Sequence, residues 1–214
     1  MVMSDAERQV RFWNRFARRY AKSPVTDQAA YERTLAATRR WLVPEARVFE
    51  FGCGTGTTAI RLAPHAGSIL AADTAPAIIE IASERAREAG VENVSFLVGG
   101  PDAFDRANPP GIVLAFNVIH LVIGWREALL ELGRDLPPGT LFISKTACLT
   151  GERALIRLGI PLAVKLRIAP PVNIFSEADL VAEIEKAGFE ILEREHHGTT
   201  GRDVRPFIVA RKRG

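Results

Sequence analysis

Cysteine is scarce in this sequence: two occur in 214 residues, Cys53 and Cys148, and they form no CxxC pair. No histidine stands close enough to either to suggest a zinc cluster, and both read as reduced thiols of a cytoplasmic protein. Long hydrophobic runs are also missing. No uncharged apolar stretch could cross a bilayer, and the first residues carry Asp5, Glu7 and Arg8 where a signal peptide would have its apolar core. Neither membrane spanning nor secretion is expected. Nor does one sign of charge prevail: 28 Lys and Arg face 25 Asp and Glu. That balance is far from that of a dedicated nucleic-acid binder, so no nucleic-acid partner is expected. What abounds is apolar residue, 47% of the chain, enough to bury one sizeable core. Without repeat, low-complexity tract or dividing linker, residues 1–214 read as a single domain.

Asp5 to Ala21 sets Val10, Trp13, Ala17 and Tyr20 at helical spacing, with Arg8, Arg11, Arg15, Arg18 and Arg19 on the other positions. The pattern predicts a basic amphipathic helix in which Phe12, Trp13 and Phe16 pack as core contacts. Ser23-Pro24 breaks it, and Thr26 or Asp27 caps a second helix running to about Trp41. The period then shortens. Arg47 to Phe51 is a strand entering a glycine-rich turn, Thr57 to Leu62 a helix, and Ser68 to Ala72 a strand ending in Asp73. Thr74-Ala75-Pro76 opens a helix to Ala89, with a capping side chain and an early proline. Further strands are expected over 93–98, 112–116 and 140–146, with a helix from Arg126 to Arg134. Ser176 to Asp179 reads as a capping box, and two last strands, about Phe189 to Glu195 and Arg205 to Arg211, as an antiparallel hairpin. Apolar strands alternating with helices argue an α/β fold with a parallel sheet covered on both faces.

The chemistry concentrates where the first strand ends, at Glu50-Phe51-Gly52-Cys53-Gly54-Thr55-Gly56. Ligands of open α/β sheets lie beyond the carboxyl ends of the strands, and glycines there let a molecule approach the backbone. Three glycines alone are a weak signal; Glu50 sharpens it. A pyrophosphate would be repelled by that carboxylate, whereas S-adenosylmethionine brings an ammonium and a sulfonium group that it attracts. The third glycine also comes one residue early for the dinucleotide pattern GxGxxG. Asp73, ending the second strand, is placed to accept hydrogen bonds from two ribose hydroxyls, as it could for either cofactor, and it also competes as a helix cap.

Glu50 to Gly56, then Asp73, then Phe116-Asn117-Val118-Ile119-His120 closely resemble the class I S-adenosylmethionine-dependent methyltransferases, in particular their small ubiquinone-biosynthesis-like branch. The likeness runs from Phe12-Trp13-Asn14-Arg15 to Phe207-Ile208-Val209-Ala210-Arg211. It implies a three-layer αβα, Rossmann-like fold whose seven-stranded sheet is mostly parallel, with the last strand antiparallel. Within the single domain, residues 1–43 read as a helical cap and 147–175 as a substrate lid. The cofactor's methionine part would lie against Gly52 to Gly56 and Thr57, its ribose on Asp73 beside Thr74, with Tyr20 closing over it and Asn117 lining the transfer site. Members usually carry an acid directly after the third strand for the adenine amino group. Here Val98-Gly99-Gly100-Pro101-Asp102 follows, so Asp102 is assigned that contact from a shifted position, and Pro101 has no N–H to offer the ring.

His120, just after the fourth strand, is the candidate base, because a neutral imidazole can take a proton from an amine, hydroxyl or thiol near neutral pH. His196-His197 lacks metal-ligand spacing and reads as a loop-facing pair. Arg153 to Ile168 mixes apolar residues with Arg153, Arg157, Lys165 and Arg167 and is read as a lid; two short helices on the sheet edge and contact with an anionic membrane are the other readings. No GxSxG elbow or comparable set is present, as direct methyl displacement requires no covalent intermediate. The expected reaction is methyl transfer to a small-molecule O, N or S acceptor; a lipid or quinone methyltransferase acting at the membrane surface is one alternative, and a non-catalytic nucleoside-binding regulatory module is the alternative of another class.

Overall fold

Seven short strands, most of them buried on both faces, assemble one sheet in the order β3-β2-β1-β4-β5-β7-β6. In the computed structural model, which describes residues 3–151, 170–199 and 203–214, these are β1 (Arg47–Phe51), β2 (Ser68–Asp73), β3 (Val94–Val98), β4 (Ile112–Phe116), β5 (Leu141–Lys145), β6 (Phe189–Glu195) and β7 (Phe207–Lys212). The first five run parallel, and β7 is antiparallel to both β5 and β6. The helices are α1 (Asp5–Ala21), α2 (Gln28–Arg39), α3 (Thr57–Leu62), α4 (Pro76–Glu88), α5 (Trp125–Asp135) and α6 (Glu177–Lys186). The lid segment Arg153 to Ile168 lies outside the described residues.

Period-two alternation sends successive strand residues to opposite faces. Phe49 and Phe51 join Val113, Ala115 and Phe142 under Trp125, Leu129 and Leu132 of α5 and Leu180 and Ile184 of α6. Val48, Leu114, Ile143 and Val209 face the other way, against Leu35 of α2, Leu62 of α3 and Ile79 of α4. Three layers follow from two apolar sheet faces, each needing a helical cover. Glu50 shares the face of Val48, and Lys145 that of Ile143, so both point to the side covered by α2.

α1 and β1, α3 and β4 run over the residues that the pattern predicts, and both the Asp27 cap and the Ser176 capping box are present. α1 lies across α4, with Trp13 and Ala17 against Ala75 and Ile78, and Asn14 Oδ1 accepts the Ala77 N–H at 3.0 Å. Other boundaries shift by a residue or two; β7 starts at Phe207, after Pro206, which has no N–H for the ladder. The cap of α4 differs too. Its N-cap is Ala75, without a side-chain bond; Thr74 does not cap it, and Asp73 Oδ1 accepts the Ala75 N–H at 3.0 Å instead. Among the described residues no helix is long and apolar enough to cross a membrane.

The strand order turns back at β1, which has β2 on one side and β4 on the other. A crevice opens beyond the carboxyl ends of strands at such a point, which is where α/β sheets hold ligands.

Candidate active site

β1 ends in a turn whose backbone only glycine adopts readily. Gly52 has φ +66° and Gly54 φ +55°. A Cβ on Gly52 would fall 2.1 Å from Val118 Cγ2, while one on Gly54 would face the Tyr20 ring at 3.5 Å. Gly52 therefore lets the turn meet the loop after β4, and Gly54 leaves open backbone beneath Tyr20. Gly56 serves packing: its Cβ would strike Phe96 at 2.8 Å.

The turn is held from β2. Asp73 Oδ2 accepts the Gly54 N–H at 3.1 Å, and the Cys53 N–H donates to Ala72 O at 3.0 Å. Despite these bonds, burial raises the Asp73 carboxyl above its ordinary range, and burial likewise raises the Cys53 thiol, with the acids nearby adding to it. Glu50 is only 2% exposed. Burial, and then the charge of Asp73, push its pKa up to about 8. Its Oε2 has no hydrogen-bond partner. A buried carboxyl oxygen without a partner is costly and rare in a settled interior, so the group is left open to a cationic ligand that would favour its ionised form.

These groups line a cavity of about 670 Å³, within the range of small-molecule sites. Tyr20, Glu50, Phe51, Gly52, Cys53, Gly54, Thr55, Thr57, Asp73, Thr74 and Asn117 are all on its wall. Tyr20 is 47% exposed, with its ring edge-on to Trp13. Asn117 is the one described non-glycine residue with positive φ, 53°, and its N–H donates to Lys145 O at 2.6 Å.

Three candidates stand off the wall: Gly56, packed against Phe96 as above, Asp102 and His120. Asp102 is exposed, and it is Gly99, Gly100 and Pro101 that reach the wall. His120 sits in the short 3-10 turn Ile119–Leu121, which directs its ring to Thr146, with Nδ1 2.9 Å from Oγ1; it is its neighbours Leu121 and Val122 that line the cavity. Burial lowers the His120 pKa to about 4, so the ring is neutral at neutral pH.

Sequence reasoning passed over several wall residues. Arg85 of α4 donates to Thr55 Oγ1 at 2.7 Å and to Ala21 O at 2.5 Å. The wall also holds Asp27, Tyr31, Thr34, Lys145 and Arg205. Lys145 Nζ donates to Thr34 Oγ1 at 2.9 Å, and Thr34 Oγ1 lies 2.9 Å from His197 Nδ1. The reading of His196 and His197 as a loop-facing pair is thus corrected: His196 is exposed beside Glu177, while His197 is buried between Thr34 and Glu195, its Nε2 2.8 Å from Glu195 Oε2. No group of three potential metal ligands occurs among the described residues.

Comparison with known proteins agrees with this architecture. An uncharacterised methyltransferase, YcgJ of Bacillus subtilis, is 31% identical over 106 residues, 46% of this chain and 40% of the relative; the match thus spans less than half of that protein. Magnesium protoporphyrin IX methyltransferase of Synechocystis PCC 6803, solved with S-adenosylhomocysteine, superposes with TM-score 0.75 and 17% identity over 98% of this chain and 100% of its own. N-methyltransferase NodS of Bradyrhizobium japonicum WM9, also in complex with S-adenosylhomocysteine, gives TM-score 0.70 and 16% identity over 93% and 97%. Residues 48–139 match the family described as a methyltransferase domain, a stretch that includes the glycine turn and the strands β1 to β4 around it.

Proposed function

We propose that this protein binds S-adenosylmethionine in the cavity at the end of β1 and transfers its methyl group to a small-molecule O, N or S acceptor. The observation that carries this reading is Glu50 Oε2, buried, unpartnered and on the cavity wall. An ammonium or sulfonium supplies the missing charge, whereas a pyrophosphate adds repulsion. The solved relatives bound to S-adenosylhomocysteine support the same choice of ligand.

The residues present fit that ligand. Gly52 and Gly54 give its amino-acid part access to the backbone, Glu50 balances its positive charge, and Asp73 offers its remaining lone pairs to ribose hydroxyls. Thr74 and Thr57 flank these groups, and Tyr20 covers the turn from above. Gly99 to Pro101 border the adenine end, where Asp102 stays in solvent. The cofactor, when bound, supplies a methyl carbon open to direct displacement of the sulfur. The protein's part is then to align the acceptor and exclude water. Asn117 and the loop after β4 shape the transfer point. His120 braces that loop through Thr146 and through its carbonyl, which accepts the Asn173 N–H at 2.7 Å.

Calorimetry with S-adenosylmethionine, S-adenosylhomocysteine and NAD tests the reading. The two sulfur nucleosides should bind and NAD should not; at a hundred times its dissociation constant the product should add about 2.7 kcal/mol to stability. A folded protein that binds neither nucleoside would end the assignment.

A further inference from the structure

The cavity carries acids where β1 and β2 end and cations where β5 ends. Glu50 and Asp73 stand at β1 and β2, while Lys145 ends β5 near Asp27, and Arg205, exposed and 3.6 Å from Asp203, precedes β7. Glu50 pairs with Leu114, and Leu114 with Ile143, so Lys145 is two strands across from Glu50 and two residues further towards the strand ends. That sets their backbones about 10 Å apart across the sheet.

Lys145 is 7% exposed, on a wall where lysine seldom stays without an acid. One of its three N–H groups has an acceptor among the described residues, Thr34 Oγ1 at 2.9 Å. Among the described residues no carboxylate comes within salt-bridge distance of it. The acids nearby are committed elsewhere. Asp203 accepts the N–H groups of His197, Gly198 and Arg205 at 3.1, 2.7 and 3.0 Å, and Asp27 takes those of Ala30 and Thr199 at 2.9 and 3.0 Å. Thr34 is itself fixed, donating to Ala30 O at 2.8 Å or to His197 Nδ1, so the ammonium is aimed and not merely parked. Burial lowers the Lys145 pKa below the ordinary lysine range, and the nearby charges of Asp203 and Asp27 offset it only in part.

We propose that Lys145, assisted by Arg205, is an anion subsite for the methyl acceptor, which therefore carries an ionised oxygen group, a carboxylate or an acidic phenol. This rests on the methyl-transfer reading of the cavity and specifies its acceptor. A cationic ligand at Glu50 and an anionic one at Lys145 each give a buried group the direct partner that it lacks. The acceptor is selected against its neutral analogue because an amide leaves the buried ammonium unpaired.

The test uses the protein loaded with S-adenosylhomocysteine and a panel of salicylate, 4-hydroxybenzoate, cinnamate and short aliphatic carboxylates, each paired with its primary amide. Acids should bind at least about tenfold tighter than their amides. Lys145→Met should abolish that preference, Lys145→Arg should keep it, and Arg205→Gln should weaken the acids roughly threefold, all three leaving affinity for S-adenosylhomocysteine in place. Should Lys145→Met not fold, the other two variants still decide. Equal binding of acids and amides, or no binding of any acid at millimolar concentration, overturns the subsite while the nucleoside still binds. Loss of nucleoside binding in the unmodified protein strikes the methyl-transfer reading instead.

Discussion

Asp73 spans two neighbouring strand ends, its Oδ2 accepting the Gly54 N–H at 3.1 Å and its Oδ1 the Ala75 N–H at 3.0 Å. One carboxylate thus sets the glycine turn after β1 and the start of α4 together, so the shape of the turn depends on β2.

An amide at this position can accept only one of those bonds and turns an N–H towards the other donor. Asp73→Asn should therefore lose about 1–3 kcal/mol of stability, seen in chemical denaturation. Its affinity for S-adenosylhomocysteine should fall by at least about tenfold in calorimetry, since the turn and the ribose contact are both disturbed. An unchanged affinity would remove Asp73 from the nucleoside site.

Glu50 has a pH signature with a definite sign. Its pKa rises from an ordinary 4.5 to about 8 in the folded protein. Between these values the folded state holds a proton that the unfolded state releases, so stability of the free protein falls as pH rises through that window. Below about pH 4.5 both states are protonated and no cost arises. Glu50→Gln keeps a neutral group throughout. It should melt like the parent near pH 5 but higher at pH 8.5, by an amount on the order of a few kcal/mol, while binding S-adenosylmethionine far more weakly. A cationic ligand also favours the ionised carboxyl, so binding at pH 7 should release about one proton. Calorimetry in buffers of different ionisation enthalpy measures that release, and none at all would contradict the pairing.

The frame and the acids of the cavity were legible along the chain because their signals are local. β1 and β4 are nearly unbroken apolar runs, and Glu50 stands out as the one acid inside β1. The cations were not legible. Lys145 looks like any charged residue at a strand end until α2 brings Thr34 to it across 111 positions. His197 acquires its place only when β6 carries it back to the same threonine across 163. Asp102 shows the opposite failure: Gly99, Gly100 and Pro101 take the chain along the wall and leave the acid outside.

His120 offers a third check. With its pKa held to about 4 by burial, its imidazole resonances should not titrate between pH 5 and pH 8 in nuclear magnetic resonance. His120→Gln, which can still bond to Thr146, should retain most turnover, and His120→Ala should retain less. A titration near pH 6.5 that tracks turnover and disappears in both variants would restore the ring as proton acceptor.

Arg85 connects parts of the site that no single element holds. Its guanidinium donates to Thr55 Oγ1 at 2.7 Å, at the exit of the glycine turn, and to Ala21 O at 2.5 Å, at the last residue of α1. The carbonyls of a final helical turn have no partner further along the helix, so this one needs an outside donor. Tyr20, which covers Gly54, is the residue just before it. Arg85→Met keeps much of the apolar stem but unties both ends; Thr55, buried, is left without its donor. Affinity for S-adenosylhomocysteine should drop by about tenfold, the equivalent of a lost charged hydrogen bond. Amide exchange should quicken around residues 20–23 and leave β1 and β4 protected. Arg85→Lys, with one compact head in place of a fork, cannot serve both acceptors and should fall between the two. If exchange quickens evenly across the sheet, the arginine is a general stabiliser, and the link from α1 to the glycine turn is lost as an explanation of how Tyr20 is placed.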